Sequence, residues 1–313
     1  MDMSTIFISE FITSQALETL KKGHEVRYEP EAYQDPQQLA DAIKNTDALI
    51  VRNLTKVNSA LIEGAQKLKV VGRLGVGLEN IDLPACAQRN IKVIPATGAN
   101  AESVAEYVLG TSMALMRSYS SATVDTLSGA WPRPKYSKCH EIAGSTLGIV
   151  GFGSIGRVVA EKAFALGMKC IAYDPLVRDQ AITLSGGMVA LYPLETLLAD
   201  SQIVSLHLPL LPETKGLFSA DVLDNMQKGA FLINTARGGI VDETALAERL
   251  RSGRLGGAAL DVFANEPAKE LSHLVGVPNL ILTPHIAGVT EESNARVSNM
   301  IAREVKLFLE SQS

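Results

Sequence analysis

The stretch Leu147-Gly-Ile-Val-Gly-Phe-Gly-Ser-Ile-Gly156 restricts the fold of this chain more than any other. A short apolar strand runs directly into Gly151-x-Gly153-x-x-Gly156, and a helical pattern, Arg157 to Leu166, follows. A second apolar segment, Met168 to Tyr173, ends on Asp174, eighteen residues beyond Gly156. Each glycine has its own physical task. Gly151 permits a tight turn, Gly153 lets the backbone approach a pyrophosphate, and Gly156 lets the helix sit close to the strand. The start of that helix presents free N–H groups and the positive end of its dipole to phosphate. Asp174 can accept hydrogen bonds from ribose hydroxyls and would repel a 2′-phosphate, so the expected cofactor is NAD rather than NADP. Arg178, nearby, reads as a solvated loop arginine. The chain carries its own control: Gly75-Val-Gly77 also follows an apolar strand, but Asn80 stands where the third glycine would be, so no second dinucleotide loop is expected.

At 313 residues the chain has room for about two domains. A net charge of −5 with no basic run argues against a nucleic-acid partner and against docking on anionic lipid. No apolar run reaches the length of a bilayer span. Met1-Asp-Met-Ser-Thr leads straight into strand-like Ile6-Phe-Ile8, with no cationic segment of a secretory signal. Cys86, Cys139 and Cys170 are scattered, without CxxC or histidine spacing. They read as reduced thiols of a cytoplasmic protein, with no disulfide and no metal site.

Short β-branched runs alternate with amphipathic helical patterns along the whole chain. In the first hundred residues the strands fall near Thr5–Ser9, Glu25–Tyr28, Ala48–Arg52, Lys69–Leu74 and Lys92–Ile94. From Ser145 the alternation restarts, with strands near Thr146–Val150, Lys169–Tyr173, Gln202–Leu206, Ala230–Asn234, Gly257–Asp261 and Leu280–Leu282. Such alternation implies parallel sheets covered by helices on both faces. The expectation is therefore an α/β protein of two doubly wound parallel-sheet domains. The pattern Ala101–Ser120 reads as a helix joining them, and Gly129-Ala-Trp-Pro-Arg-Pro134 as an irregular surface loop. The terminal pattern Glu291–Leu309 has apolar Val297, Ile301, Val305 and Phe308 at helical spacing and no sheet of its own, so it is expected to return to the first domain. The domains are then residues 1–100 with 287–313, and residues 101–286.

A bound nicotinamide needs a proton donor or acceptor and a group that holds the substrate's charge, and in α/β sheets these gather at the carboxyl ends of strands. Three segments sit there. Phe231-Leu-Ile-Asn-Thr-Ala-Arg237 puts an arginine just past a buried strand, where a guanidinium can grip a carboxylate through two parallel bonds. Ala259-Leu-Asp261-Val-Phe-Ala-Asn-Glu266-Pro offers two acids beyond a strand. Ile281-Leu-Thr-Pro-His285-Ile-Ala-Gly288 holds a histidine after a proline at a strand end.

Together these segments resemble the D-2-hydroxyacid dehydrogenase family, and within it the phosphoglycerate dehydrogenase branch most closely. The match extends to Ser205-Leu-His-Leu-Pro-Leu-Leu-Pro-Glu-Thr214, Asn234-Thr-Ala-Arg-Gly-Gly-Ile-Val-Asp-Glu243 and Arg73-Leu-Gly-Val-Gly-Leu-Glu-Asn-Ile-Asp82. The resemblance implies a Rossmann NAD-binding domain and a flavodoxin-like substrate domain with a cleft between them. It implies that Arg237 would hold the substrate carboxylate, that His285 would exchange the hydroxyl proton, and that Glu266 would hydrogen-bond His285. A carboxylate beside an imidazole favours the cation, which suits a group that must both donate and accept. Gly151, Gly153, Ser154, Ile155, Gly156, Asp174, His207, Leu208, Thr235, Ala236, Asp261 and Gly288 would line the NAD site, with Asp261 near the carboxamide and His207 a pocket wall. Val76 and Gly77 would offer backbone N–H groups to the substrate carboxylate, and Asn53 would stand in the substrate loop.

The chain departs from the branch in two places. Members of the branch often carry a regulatory domain beyond this point, whereas the sequence stops soon after its terminal helix, so serine feedback through such a domain is not expected. Its loop reads Val51-Arg-Asn-Leu-Thr-Lys56, with Asn53 where the branch commonly has serine, which leaves the acid open. Arg52, Lys56 and Arg73 could neutralise a second anionic group such as phosphate or sulfonate. The resemblance also implies a homodimer. The alternatives are a glyoxylate/hydroxypyruvate reductase, a dehydrogenase of a sulfonated acid, and an NAD(H)-sensing protein like the C-terminal-binding-protein corepressors.

Overall fold

The computed structural model describes residues 3–312. Two compact units emerge, one built from the chain up to Asn100 and again from Val289, the other from Ala101–Gly288. In the first unit five strands, β1 (Thr5–Ile8), β2 (Glu25–Tyr28), β3 (Ala48–Val51), β4 (Val70–Arg73) and β5 (Lys92–Pro95), form an all-parallel sheet in the order β2-β1-β3-β4-β5. That is the flavodoxin-like order, which reverses direction between β1 and β3. β3 is buried at every position, as a strand covered on both faces must be.

Helices α1 (Ser14–Lys21), α2 (Pro36–Ile43), α3 (Ser59–Gly64) and α4 (Leu83–Gln88) connect these strands. The side chains of Asp35, Asn58 and Asp82 accept backbone N–H groups in the first turns of α2, α3 and α4. Each cap satisfies donors that the helix leaves unpaired. The C-terminal helix Glu291–Ser311, capped by Thr290, covers the sheet together with α1. It lies so close to β4 that a Cβ on Gly72 would stand 2.8 Å from both Ile301 Cγ2 and Val305 Cγ2.

The second unit begins with α5 (Ala101–Met116), α6 (Tyr119–Leu127) and α7 (Arg133–Tyr136). One continuous helix to Ser120 was expected from the sequence. Instead Ser118 takes the left-handed conformation, φ 50°, and turns the chain into α6. The segment expected to be irregular also ends in a helical turn, since Pro134 occupies an early position of α7 where its missing N–H costs nothing. The strands are β6 (Thr146–Val150), β7 (Lys169–Tyr173), β8 (Ala181–Leu184), β9 (Gly187–Leu191), β10 (Ile203–Leu206), β11 (Phe231–Asn234), β12 (Gly257–Leu260) and β13 (Leu280–Leu282). They form one sheet in the order β13-β12-β11-β10-β6-β7-β9-β8.

All pairings are parallel except β8 with β9, an antiparallel hairpin absent from the strands expected above. Its signal is Gly186-Gly187 between two short alternating runs. Helices α8 (Ser154–Ala165), α9 (Leu194–Asp200), α10 (Ala220–Asn225) and α11 (Glu243–Arg251) complete the unit. One face of the sheet is covered by α5 and α8, the other by α9, α10 and α11, each with its own apolar core. The strand order reverses between β6 and β10, and at such a switch point the loops leaving the strands diverge and open a crevice.

Candidate active site

Both loops at that switch point are shaped for a phosphate-bearing ligand. Gly151 leaves β6 with φ 97°, and a Cβ there would lie 2.8 Å from the carbonyl carbon and oxygen of His207, just past β10. Gly156, in α8, faces the Gly151 carbonyl so closely that a side chain would collide with it. Gly153 differs: the space its Cβ would take is open. It caps α8, whose first residues are Ser154 and Ile155, so the helix N-terminus faces an uncrowded approach. Asp174, at the end of β7, accepts the Phe152 N–H at 2.8 Å through one oxygen and the Leu176 N–H at 2.9 Å through the other. It thereby fastens the glycine loop to the neighbouring strand, a task the sequence did not reveal.

Further along the strand ends, Leu208 and Ala236 are buried, and the Thr235 hydroxyl is buried without a hydrogen-bond partner. An orphaned hydroxyl at one strand end and open space at Gly153 at another suit a ligand rich in hydroxyl and phosphate oxygens. The residues present therefore fit NAD. His207 shares a hydrogen bond of 2.9 Å with Ser205, and burial pushes its pKa down to about 4, so it lines this region as a neutral ring.

His285 is held in an uncommon conformation. It is non-glycine yet has φ 58°, and its N–H donates to the Asp261 carbonyl at 2.8 Å. The Asp261 carboxylate, 1% exposed, receives the Thr283 hydroxyl at 2.6 Å and the N–H groups of Ile286 at 2.7 Å and Ala287 at 2.8 Å. Thr283, having donated to Asp261, accepts from the Tyr107 hydroxyl of α5 at 2.6 Å. Asp261 thus builds the loop that presents His285, beyond any contact with a nicotinamide amide.

The imidazole of His285 is half exposed, and its Nδ1 lies 2.7 Å from Glu266 Oε2. A carboxylate only accepts, so Nδ1 carries the proton of this bond and Nε2 is the position free to exchange one. The other Glu266 oxygen accepts the Phe263 N–H at 3.0 Å, so the carboxylate is itself fixed.

Arg237 follows β11 on a turn set by Asn234. The buried Asn234 side chain accepts the Ala236 N–H at 3.0 Å and donates to the Arg237 carbonyl at 3.0 Å. At Gly238 a side chain would collide with the Phe263 carbonyl, so the turn carrying Arg237 and the loop carrying Glu266 press backbone to backbone. The sequence identified the arginine but not Asn234, whose only signal is its place at a strand end before a glycine pair. The candidate substrate residues Asn53, Val76 and Gly77 belong to the other unit. There Asn53 is exposed after β3, and the Arg73 guanidinium folds over Gly75, beside Val76 and Gly77.

Residues 109–287 match the family profile described as "D-isomer specific 2-hydroxyacid dehydrogenase, NAD binding domain". The chain belongs to this family. It is 47% identical to an (S)-sulfolactate dehydrogenase of Chromohalobacter salexigens over 98% of its own length and 99% of that protein's. It is 36% identical to a D-3-phosphoglycerate dehydrogenase of Archaeoglobus fulgidus over 96% of its length, but spans only 56% of that relative. Among solved structures it superposes on a glyoxylate reductase from Paecilomyes thermophila with a TM-score of 0.86 and 26% identity, covering 100% of this chain and 97% of that one. This 2-hydroxyacid dehydrogenase is accordingly an NAD-dependent oxidoreductase acting on a CH–OH group.

Two predictions follow from this geometry. His285→Ala should reduce turnover by about 10²–10⁴-fold, the usual range for a lost general acid/base, while NADH affinity measured by fluorescence stays near wild type. Turnover close to wild type would remove His285 from the chemistry. The second concerns His207, whose folded pKa of about 4 lies below its ordinary value of 6.5. Between those pH values the unfolded chain binds the proton that the folded one refuses, so stability falls as pH drops through the window. The loss from this group reaches about 2–3 kcal/mol near pH 4.5 and should be absent in His207→Gln. Urea unfolding at pH 7 and pH 4.5 measures it, and an equal acid loss in both proteins would contradict the assignment.

Proposed function

We propose that this dehydrogenase interconverts a small 2-hydroxy acid and its 2-keto acid, the acid carrying a second strong anion of the sulfonate type. The observation that supports this choice is the 47% identity, end to end, with a sulfolactate dehydrogenase, exceeding the 36% shared with the phosphoglycerate dehydrogenase. Arg52 adds a physical reason. Its guanidinium is largely desolvated, donates to the Asn294 side-chain oxygen at 2.5 Å and stands 5.9 Å from the centre of the Phe11 ring. Among the described residues no carboxylate lies within ion-pair distance of it. Its hydrogen-bond partner is neutral and the nearby Glu10 carboxylate, although it favours the cation, forms no ion pair with it, so the guanidinium can still meet an anion, and it matches the oxygen geometry of a sulfonate. Lys56 is exposed and Arg73 sits over Gly75, so both are weaker candidates.

In this reading Arg237 grips the substrate carboxylate through paired N–H donors and polarises the adjacent carbonyl. The Val76 and Gly77 amides share that carboxylate. His285 Nε2 gives a proton to the carbonyl oxygen during reduction and takes it from the hydroxyl during oxidation, while Glu266 holds the ring at Nδ1. NAD, held by the glycine loop, Asp174, Thr235 and the residues around them, supplies the hydride acceptor or donor when bound. The three cysteines are free thiols, which fits the proposed cytoplasmic setting. Among the described residues no helix is long and apolar enough to cross a membrane.

A homodimer belongs to the same proposal, with its contact on α6. The long helix α5 is mostly buried in its own unit, whereas α6 has no buried residue and exposes Val124 and Leu127, followed by Trp131 at 75% exposure. Apolar surface concentrated on one short segment is the usual mark of a subunit interface. Leu127→Glu with Trp131→Glu should convert the dimer to a monomer in light scattering, and a wild type that runs as a monomer would contradict it.

A steady-state screen of 2-keto acids with NADH tests the substrate. The expected result is a kcat/KM for 3-sulfopyruvate at least about tenfold above that for pyruvate, with the advantage lost in Arg52→Gln as a charge pair is removed. Equal efficiency for the two acids in the wild type would overturn the second-anion reading.

A further inference from the structure

We propose that Glu10 is a positioning residue for substrate recognition, acting by holding the loop Arg52–Thr55 in the shape that presents Asn53 and Arg52. The inference rests on the reading of that loop as the substrate loop. Glu10 follows β1 and is 3% exposed, yet no ion pair with lysine or arginine holds it among the described residues. A carboxylate is almost never so buried without a compensating partner. Its partners are consecutive backbone amides. Oε1 accepts the N–H of Arg52 at 2.7 Å and of Thr55 at 3.0 Å, and Oε2 accepts those of Asn53 at 3.2 Å and Leu54 at 3.0 Å.

Converging amides of this kind form an anion-binding concavity. Here the chain fills the concavity with its own carboxylate. The carbonyl side of the loop is occupied as well. Asn80 Nδ2 donates to the Arg52 carbonyl at 3.1 Å and to the Thr55 carbonyl at 2.7 Å, and the Thr55 hydroxyl bonds Ser9 at 2.8 Å. Asn80, which in the sequence only ruled out a dinucleotide loop, is therefore the second clamp on the same turn.

This arrangement has a consequence for recognition. With its amides turned inward, the loop has no backbone donor left at residues 52–55 for a substrate anion. Recognition there must come from side chains, namely exposed Asn53 and the Arg52 guanidinium. Four hydrogen bonds to one charged group are hard to replace, because each amide left without a partner pays its desolvation cost. A glutamine at this position offers one accepting oxygen and turns an amide group toward N–H donors, so the loop must relax and Asn53 must move.

The test measures KM, kcat and NADH affinity for Glu10→Gln, Asn53→Ala and the double variant, using the best 2-keto acid and saturating NADH. Glu10→Gln should raise KM for the keto acid between about tenfold and a hundredfold, the scale of a substrate-positioning error, while kcat changes far less and NADH affinity stays within about twofold. The double variant should be no worse than the more impaired single variant, because both act through one loop. A KM near wild type in Glu10→Gln beside a raised KM in Asn53→Ala would overturn the role of Glu10 and leave the substrate loop standing. A raised KM in Glu10→Gln beside an unchanged one in Asn53→Ala would remove Asn53 as the contact and keep the anchor. Should Glu10→Gln fail to fold, Asn80→Ser loosens the carbonyl clamp of the same turn and gives the same KM readout, with an unchanged KM overturning the proposal.

Discussion

The Asp261 carboxylate is the interaction on which the candidate site depends. Buried at the end of β12, it accepts one hydroxyl and two backbone N–H groups from the segment Thr283–Ala287, and its own carbonyl accepts the His285 N–H. A non-glycine residue in the left-handed region costs about 1–3 kcal/mol and persists only where its surroundings over-determine it. Bonds to a charged acceptor contribute about 1.5–3 kcal/mol each, enough in sum to hold His285 there. The backbone is thus fixed while the ring stays half exposed, a combination suited to a group that must meet a substrate without searching for it.

The same device recurs along the strand ends. Asp174 holds the Phe152 N–H of the glycine loop, Glu266 the Phe263 N–H, Glu243 the Ala264 N–H at 2.8 Å, and Glu10 the four amides of the Arg52–Thr55 turn. Loops leaving parallel strands carry unpaired amides, and a carboxylate reaching across from a neighbouring element satisfies several at once. Much of the acidic character of the chain near these loops therefore serves backbone shape rather than repelling an anionic substrate.

What the sequence made legible was periodic or combinatorial. Apolar runs at regular spacing revealed both parallel sheets, and the glycine run with Asp174 revealed the dinucleotide loop, because each rests on local sequence physics. The hairpin β8–β9 was missed because its runs are short and half exposed, and the break at Ser118 because a serine carries no signal for left-handed backbone. The pairing of Glu266 with His285 was reachable through family resemblance, whereas the tasks of Glu10, Asn80 and Asn234 were not. Each acts on backbone far away or just around a turn, so only folding brings donor and acceptor together.

A double-mutant cycle between Asp261 and His285 tests the central claim most directly, with kcat and NADH affinity measured for Asp261→Asn, His285→Ala and the pair. Asparagine keeps the size but turns an N–H group toward backbone donors, so the loop loses its fixed shape. If Asp261 works by placing His285, Asp261→Asn lowers kcat substantially and adds little to the loss already caused by His285→Ala. Full wild-type kcat in Asp261→Asn, or losses that multiply in the double variant, would contradict the account.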